Sequence, residues 1–361
     1  MTTSNQDGDL AEVYLQISPN ILESFPKFRP PVALYRFDPA VAQVKKYHDA
    51  EARLAKERQE EVAEFANDGT LFLLRDDYRV YAQHLSKNLG LVLTEDDFTP
   101  QEVAEIFYLA LKERMNEFLE QPTEEPLRSL VKDLSILVEY LWIDPSRVDY
   151  LTRTLHQEYD LATHSVNTMF VGLGLFTMVV RGKYERATLV SLALGLILHD
   201  LGMANVPKFI LDKPQKFLRG DRDSVEHHVE AGLNKLTRLK LRDPLVMQCA
   251  IMHHERVDGS GYPQRIMKDA LPLPARLCGM ADAFSAMVSQ RPHREARDFK
   301  QAALLLLKDA DRFDSNLAKL LAVLVTKGVG EYLSQVAPAA KAPAESAPPP
   351  DSAPDPAPDP A

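Results

Sequence analysis

Residues 192–202 read "LALGLILHDLG". Its first seven positions carry no polar side chain, so a helix formed here is apolar all round and has to be enclosed by protein. His199 and Asp200 stand at its end. An ionised carboxylate left unpaired in such surroundings is costly, because it loses its hydration and gains nothing in exchange. A fold that buries this run therefore needs a positive charge to balance Asp200.

The same need recurs along the chain. There are ten histidines, and eight lie between 156 and 293. The informative ones are His164, His199 beside Asp200, His227 with His228, and His253 with His254. Asp282 joins them as an acid in the apolar run "GMADAFSAM". Each has an ordinary explanation alone: His164 as a hydrogen-bonded core ring, His227 as a surface residue, Asp282 as an arginine partner. Taken together, buried imidazoles and carboxylates on separate helices are most cheaply satisfied by a bound cation. Mixed His/Asp ligands suit iron, manganese or zinc, and a carboxylate can bridge two ions. Such a site suits in-line phosphoryl displacement. The stretch 253–263, "HHERVDGSGYP", fits this reading. Its adjacent rings point about 100° apart around a helix, so one buried face cannot use both.

The rest of the chain sets the boundaries. At 361 residues the length suggests two domains, and 45% hydrophobic content is ordinary for a globular protein. A net charge of −10 argues against nucleic acid as a partner, although a small anionic ligand is compatible with local positive charge. The runs "MFVGLGLFTMVV" and "LVSLALGLIL" fall short of the ~20 residues that cross a bilayer, so no membrane span is expected. The first ten residues have neither the basic start nor the apolar core of a signal peptide. Two cysteines, Cys249 and Cys278, form no paired motif. A cytoplasmic protein is expected.

The expected fold class is α+β overall, with a smaller α/β domain preceding an all-α helical domain. Residues 1–128 form the α/β part, a regulatory or dimerisation region, because β-type runs ("EVYLQIS", "VALYRF", "TLFLLR") alternate with helical ones. The stretch 49–68 reads as a mostly solvated helix, and "TPQE" at 99–102 reads as a capping box. Residues 129–145 form a connecting helix. Helices then follow at 145–181, 184–203, 221–238, 243–255 and 273–289, with caps at Asp144, Asp221 and Asp243. The Ala/Pro-rich acidic segment 336–361 reads as a disordered tail.

Taken as a set, His164, His199-Asp200, His228, His253-His254 and Asp282, with "HHERVDGSGYP" attached, closely resemble the HD-GYP family. These are bacterial phosphodiesterases of the HD superfamily that hydrolyse cyclic di-GMP. The resemblance covers about 146–335. It implies an HD-type helical domain, two or three divalent ions (iron or manganese), and cleavage of cyclic di-GMP to pGpG or GMP in second-messenger signalling. GGDEF cyclases are the implied kind of protein partner, and a homodimer is compatible.

Carried over position by position, His164, His199, Asp200, His228, His253, His254 and Asp282 are the implied metal ligands. Asp200 bridges two ions and, with His199, forms the catalytic pair. His228 is chosen over His227 because the family's histidine stands four residues before a glycine, here Gly232. Some members use an acid four residues before the first histidine to contact a third metal. Asp160 stands there, with a plain surface acid as the equal alternative. Gly259, Ser260, Gly261, Tyr262 and Pro263 are expected to shape the wall near the substrate, and Arg291 and Arg294 to contact its phosphates.

Three positions depart from the family pattern. Met203 replaces a lysine in the "HD-x-G-K" motif, Ser285 replaces a second aspartate, and "RPHR" stands where a tyrosine is common. The leading expectation is a cyclic di-GMP phosphodiesterase. The alternatives are a catalytically weak sensor or adaptor that binds metal and cyclic di-GMP, and a hydrolase of another cyclic dinucleotide.

Overall fold

A computed structural model describes residues 13–336, apart from 18, 20–21, 23–24, 27–28, 40, 42, 78–79, 81–88, 94–97, 216–217 and 293. The extreme N-terminus and the proline-rich tail from 337 lie outside the described residues.

The N-terminal strands form one antiparallel sheet. Strands β1 (Tyr14–Gln16), β2 (Leu34–Asp38), β3 (Gln43–His48) and β4 (Leu71–Leu74) lie in the order β1-β4-β2-β3. Three of them coincide with the β-type runs of the sequence. The fourth, β3, reads "QVKKYH" and escapes a hydrophobicity reading, because its lysines face solvent at the sheet edge. Helix α1 (Lys56–Asn67) buries only Val62, Phe65 and Ala66. Helix α2 (Pro100–Glu120) starts at the expected capping box. Thr99 accepts from the Glu102 amide, and the Glu102 carboxylate accepts from the Thr99 amide at 2.9 Å. Helix α3 is Glu124–Ile143.

Next come α4 (Val148–Arg153), α5 (Leu161–Val179), α6 (Arg186–Leu198), α7 (Lys208–Leu211), α8 (Arg219–Glu226), α9 (His228–Arg238), α10 (Pro244–Met252) and α11 (Leu273–Val288). Three more helices, α12 (Phe299–Lys308), α13 (Ser315–Thr326) and α14 (Val329–Val336), close the described chain. Two expected helices are broken. The 145–181 run divides because Asn167 takes over the backbone of His156: its Oδ1 accepts from the amide at 3.2 Å and its Nδ2 donates to the carbonyl at 2.7 Å. Asp160 then caps α5 through the Thr163 amide at 2.8 Å. The 221–238 run divides at His227, between α8 and α9.

The apolar core is continuous. Buried residues from Leu15 in the sheet to Val329 at the start of α14 form one connected cluster. Helices α2 and α3 pack on α5 and α6 respectively, so no gap in the core marks position 128. The helical stretch Arg186–Asn205 is the one among the described residues that is long and apolar enough to cross a membrane, and 67% of its apolar window is buried inside the protein.

A close backbone approach fixes the end of α6. The 3-10 turn Leu201–Asn205 follows Asp200 and packs on α9. A Cβ on Gly202 would lie 1.8 Å from the His228 carbonyl oxygen and 2.6 Å from the Gly232 nitrogen. Both obstacles are backbone, so neither can swing aside. Gly202→Ala is expected to destabilise the protein by about 3 kcal/mol, read as a lower melting temperature, because overpacking against rigid backbone strains the fold.

Candidate metal centre

Four helix ends and one helix interior converge on a single point. His164 lies in the first turn of α5, His199 and Asp200 follow α6, His228 opens α9, His253 and His254 follow α10, and Asp282 projects from α11. All are buried except His254, whose side chain is 21% exposed. Their ligating atoms make two groups, each within 4.8 Å: Asp200, His228, His253 and His254; and His164, His199, Asp200 and Asp282.

Asp200 belongs to both groups, one oxygen to each. Its Oδ1 lies 3.2 Å from His228 Nε2 and 3.3 Å from His253 Nε2. Its Oδ2 lies 3.5 Å from His164 Nε2 and 3.6 Å from His199 Nε2. Asp282 Oδ1 lies 3.1 Å from His164 Nε2, and its Oδ2 lies 3.9 Å from His254 Nδ1.

Backbone carbonyls orient three of the rings. Nδ1 of His199 meets the Leu196 oxygen at 2.8 Å, that of His228 the Val225 oxygen at 2.5 Å, and that of His253 the Cys249 oxygen at 2.9 Å. A carbonyl only accepts, so each Nδ1 carries the hydrogen, and in its neutral form each ring turns an Nε2 lone pair inward. The Nε2 atoms of His228 and His253 stand 3.2 Å apart, where two neutral rings would set lone pair against lone pair. His199 Nε2 and Asp200 Oδ1 are buried without a hydrogen bond of normal geometry.

The charges are unbalanced in the same direction. Burial pushes His199 down to about 4 and holds His254 well below its ordinary value, so both rings are neutral near pH 7. Burial alone would raise Asp200 and Asp282, but the surrounding imidazoles outweigh it and hold both carboxyls well below the usual range. Burial also opposes the charged form of His228, yet its contact with Asp200 outweighs this and raises its pKa. Two buried carboxylates set against rings of which His199 and His254 are neutral leave the cluster short of positive charge. Inward lone pairs, a carboxylate oxygen without a donor and excess negative charge together fit bound divalent cations.

The signature loop is held from behind the cluster. Glu255, 3% exposed, accepts from the Gln264 amide at 2.6 Å and the Ile266 amide at 3.1 Å. Asp258 accepts from the Ser260 amide at 2.9 Å, and Gly259 takes φ +79°. A Cβ on Gly261 would lie 2.5 Å from the Glu255 Cα and the His254 oxygen. The result is that the Tyr262 ring stacks on His254, 4.7 Å between centroids. Ser260 is exposed, with its hydroxyl 3.5 Å from Arg312 Nε. Pro263 lines a cavity of about 550 Å³ with Tyr262, Glu226, Val229, Leu233 and Ile251. Of the expected loop contacts, Tyr262 is the side chain that the fold brings onto a ring of the cluster.

Other expected residues fall as follows. His227 stays exposed, its Nδ1 on the Asp223 carbonyl. The Asp160 carboxylate accepts from Thr163 and pairs with Lys112 Nζ at 2.9 Å. Arg291 and Arg294 form a tight pair of reciprocal backbone hydrogen bonds at 2.9 and 3.1 Å. Met203, 9% exposed, packs with Val206 and Ile210 in a small apolar cluster that Leu161 and Val225 adjoin. Ser285 is fully buried, its hydroxyl unpartnered. The sequence reading missed Tyr159, whose ring lies 6.2 Å from that of His164. Its only signal is an aromatic residue five positions before a candidate ligand.

A family model for the HD domain matches residues 174–317. This part of the chain resembles an HD domain. The chain is also 39% identical, over 27% of its length, to the cyclic di-GMP phosphodiesterase response regulator RpfG of Xanthomonas campestris. It is 35% identical, over 34% of its length, to the 3'3'-cGAMP-specific phosphodiesterase 2 of Vibrio cholerae. The matches span 26% and 24% of these relatives' own lengths, about a quarter. Among solved structures, Bd1817, an HDG"Y"P protein of Bdellovibrio bacteriovorus, aligns with a TM-score of 0.58 over 86% of this chain and 99% of its own. At 17% identity that is a likeness of fold, and it extends well beyond residues 174–317.

Two outcomes are expected. Removing metal with a chelator should lower the melting temperature by ~5 °C, and restoring a divalent cation should recover it, because a ligand of the native state stabilises by mass action. Glu255→Ala should cost about 2 kcal/mol by denaturant unfolding, since two amides lose a charged acceptor.

Proposed function

We propose that this protein is a metal-dependent phosphodiesterase acting on cyclic di-GMP, with pGpG or GMP as product. The observation that carries the reading is Asp200, which offers one oxygen to each of two converging groups of imidazoles and carboxylate. His228, His253, His254 and Asp200 would hold one ion, and His164, His199, Asp200 and Asp282 the other, with iron or manganese matching the donors. When bound, such ions supply Lewis acidity at a phosphate oxygen and a water of lowered pKa.

The chain's own residues supply the rest. His199, His228 and His253 are oriented before substrate arrives, because their carbonyl tethers are already made. His254 and the Tyr262 stacked on it are the partly exposed members, so a substrate reaches the cluster from that side. Arg291 and Arg294 offer guanidinium charge to an anionic diester, which an otherwise acidic chain needs. The cyclic di-GMP and cGAMP phosphodiesterases among the relatives support a cyclic dinucleotide as substrate. A cytoplasmic location agrees with the intracellular origin of such messengers.

A second reading, a weakly active sensor, is favoured by one observation. Met203 is packed among Val206, Ile210 and Leu161, an apolar setting in place of a cation beside the phosphate.

The test is to load anaerobically purified protein with iron or manganese and follow pGpG and GMP formation from cyclic di-GMP. Turnover abolished by Asp200→Ala, with bound metal at least halved by mass spectrometry, is the expected result. Full metal occupancy and tight binding without turnover would instead favour the sensor. Met203→Lys should raise kcat/KM about tenfold, a gain of ~1.4 kcal/mol in charge stabilisation.

A further inference from the structure

The segment 154–160, between α4 and α5, carries none of the residues of the two candidate ligand groups, yet it touches both the arginine loop and the N-terminal region. On one side, the Arg291 guanidinium lies 4.3 Å from the centroid of the Tyr159 ring. The Gln290 amide donates to the Gln157 carbonyl at 2.6 Å, which ties the base of the arginine loop to the same segment. Arg291 Nε is buried without a hydrogen-bond partner, so the ring face is the contact that fixes the guanidinium. Tyr159 also stands close to the cluster: its ring is 6.2 Å from that of His164 and it feels the charges of Asp200 and Asp282.

On the other side, helix α2 grips the segment along one face. Glu105 Oε1 lies 3.5 Å from His156 Nε2, the Tyr108 ring stacks on His156 at 3.8 Å and 7°, and Lys112 Nζ pairs with Asp160 at 2.9 Å. These three residues are spaced three and four apart, the spacing that places side chains in one row on a helix. Fully buried Tyr108 makes this more than a surface contact.

We infer that Tyr159 is a substrate-positioning residue, holding Arg291 beside the metal-ligand cluster through its ring, on a segment that α2 of the N-terminal region keeps in place. The inference rests on the phosphodiesterase reading. Its physical basis is that a free arginine has many rotamers, and ordering it on binding weakens affinity. A ring that orders it beforehand removes that penalty. The N-terminal helix thereby becomes part of the substrate site, although none of its side chains is among the candidate ligands.

The test uses the full metal-loaded chain, with KM and kcat for cyclic di-GMP, the dissociation constant by calorimetry and bound metal by mass spectrometry. Tyr159→Ala should raise KM about three- to tenfold with kcat changed less and bound metal unchanged, in line with a cation–π contact. Tyr159→Phe should restore the affinity, because the ring face carries the contact. Arg291→Ala should raise KM at least as much, and adding Tyr159→Ala to it should cause no further rise. Lys112→Met should raise KM in the same direction by about twofold, a smaller effect than losing the ring because a half-exposed ion pair is worth little. Unaltered KM in Tyr159→Ala, or additive effects in the double variant, would overturn the positioning role while leaving the phosphodiesterase reading intact. Unaltered protein that neither binds nor cleaves cyclic di-GMP would overturn that reading, and the inference with it.

Discussion

The helical region is arranged around one carboxylate that is largely withdrawn from water. Asp200 sits at the end of a helix with no polar face, and both of its oxygens are directed at imidazoles. The charge is kept on the carboxyl despite its burial. A buried anion of this kind is tolerable only when its partners are held in place before it needs them. The ligand-bearing helix ends must therefore meet within a few ångströms, and the packing of α5, α6, α9, α10 and α11 follows from that demand.

Two kinds of local device make the convergence rigid. The first is backbone tethering: three histidines spend Nδ1 on a carbonyl three or four residues earlier, so ring orientation is set by the helix that carries each ring. The second is close backbone approach at glycine. Gly202 against His228 and Gly261 against Glu255 each occupy a space where a single carbon would collide with main chain. Glu255 plays a related part from within the signature loop, turning its carboxylate away from the cluster to hold the amides of Gln264 and Ile266. It is an acid within a ligand motif whose function is architectural.

The N-terminal region is not a detachable attachment. Its helices share one apolar core with the helices that follow, and its polar side chains reach the segment beneath Arg291. Lys112 also explains the fate of Asp160. A lysine brought from more than forty residues away neutralises this acid, and the helix cap uses what remains of its bonding capacity.

The cluster of candidate ligands was legible in the sequence because its members are chemically unusual where they stand. An acid at the end of "LALGLIL", paired histidines before a glycine loop and an acid inside "GMADAFSAM" each conflict with a buried helix unless a cation is present. Local chemistry alone also specified the capping box at Thr99 and three of the four strands. What sequence could not supply was distance between parts of the chain remote from one another. The edge strand 43–48 has no apolar signature, since its pairing is made by backbone. The break at 154–160 depends on Asn167 reaching back eleven residues to His156. The sharing of Asp200 between two groups, the capture of Asp160 by Lys112 and the placement of Arg291 on Tyr159 exist only once helices are packed. Sequence determined which residues need a partner, because burial of charge is a property of local composition. The tertiary structure decided which partner each one received, because that depends on where distant helices end.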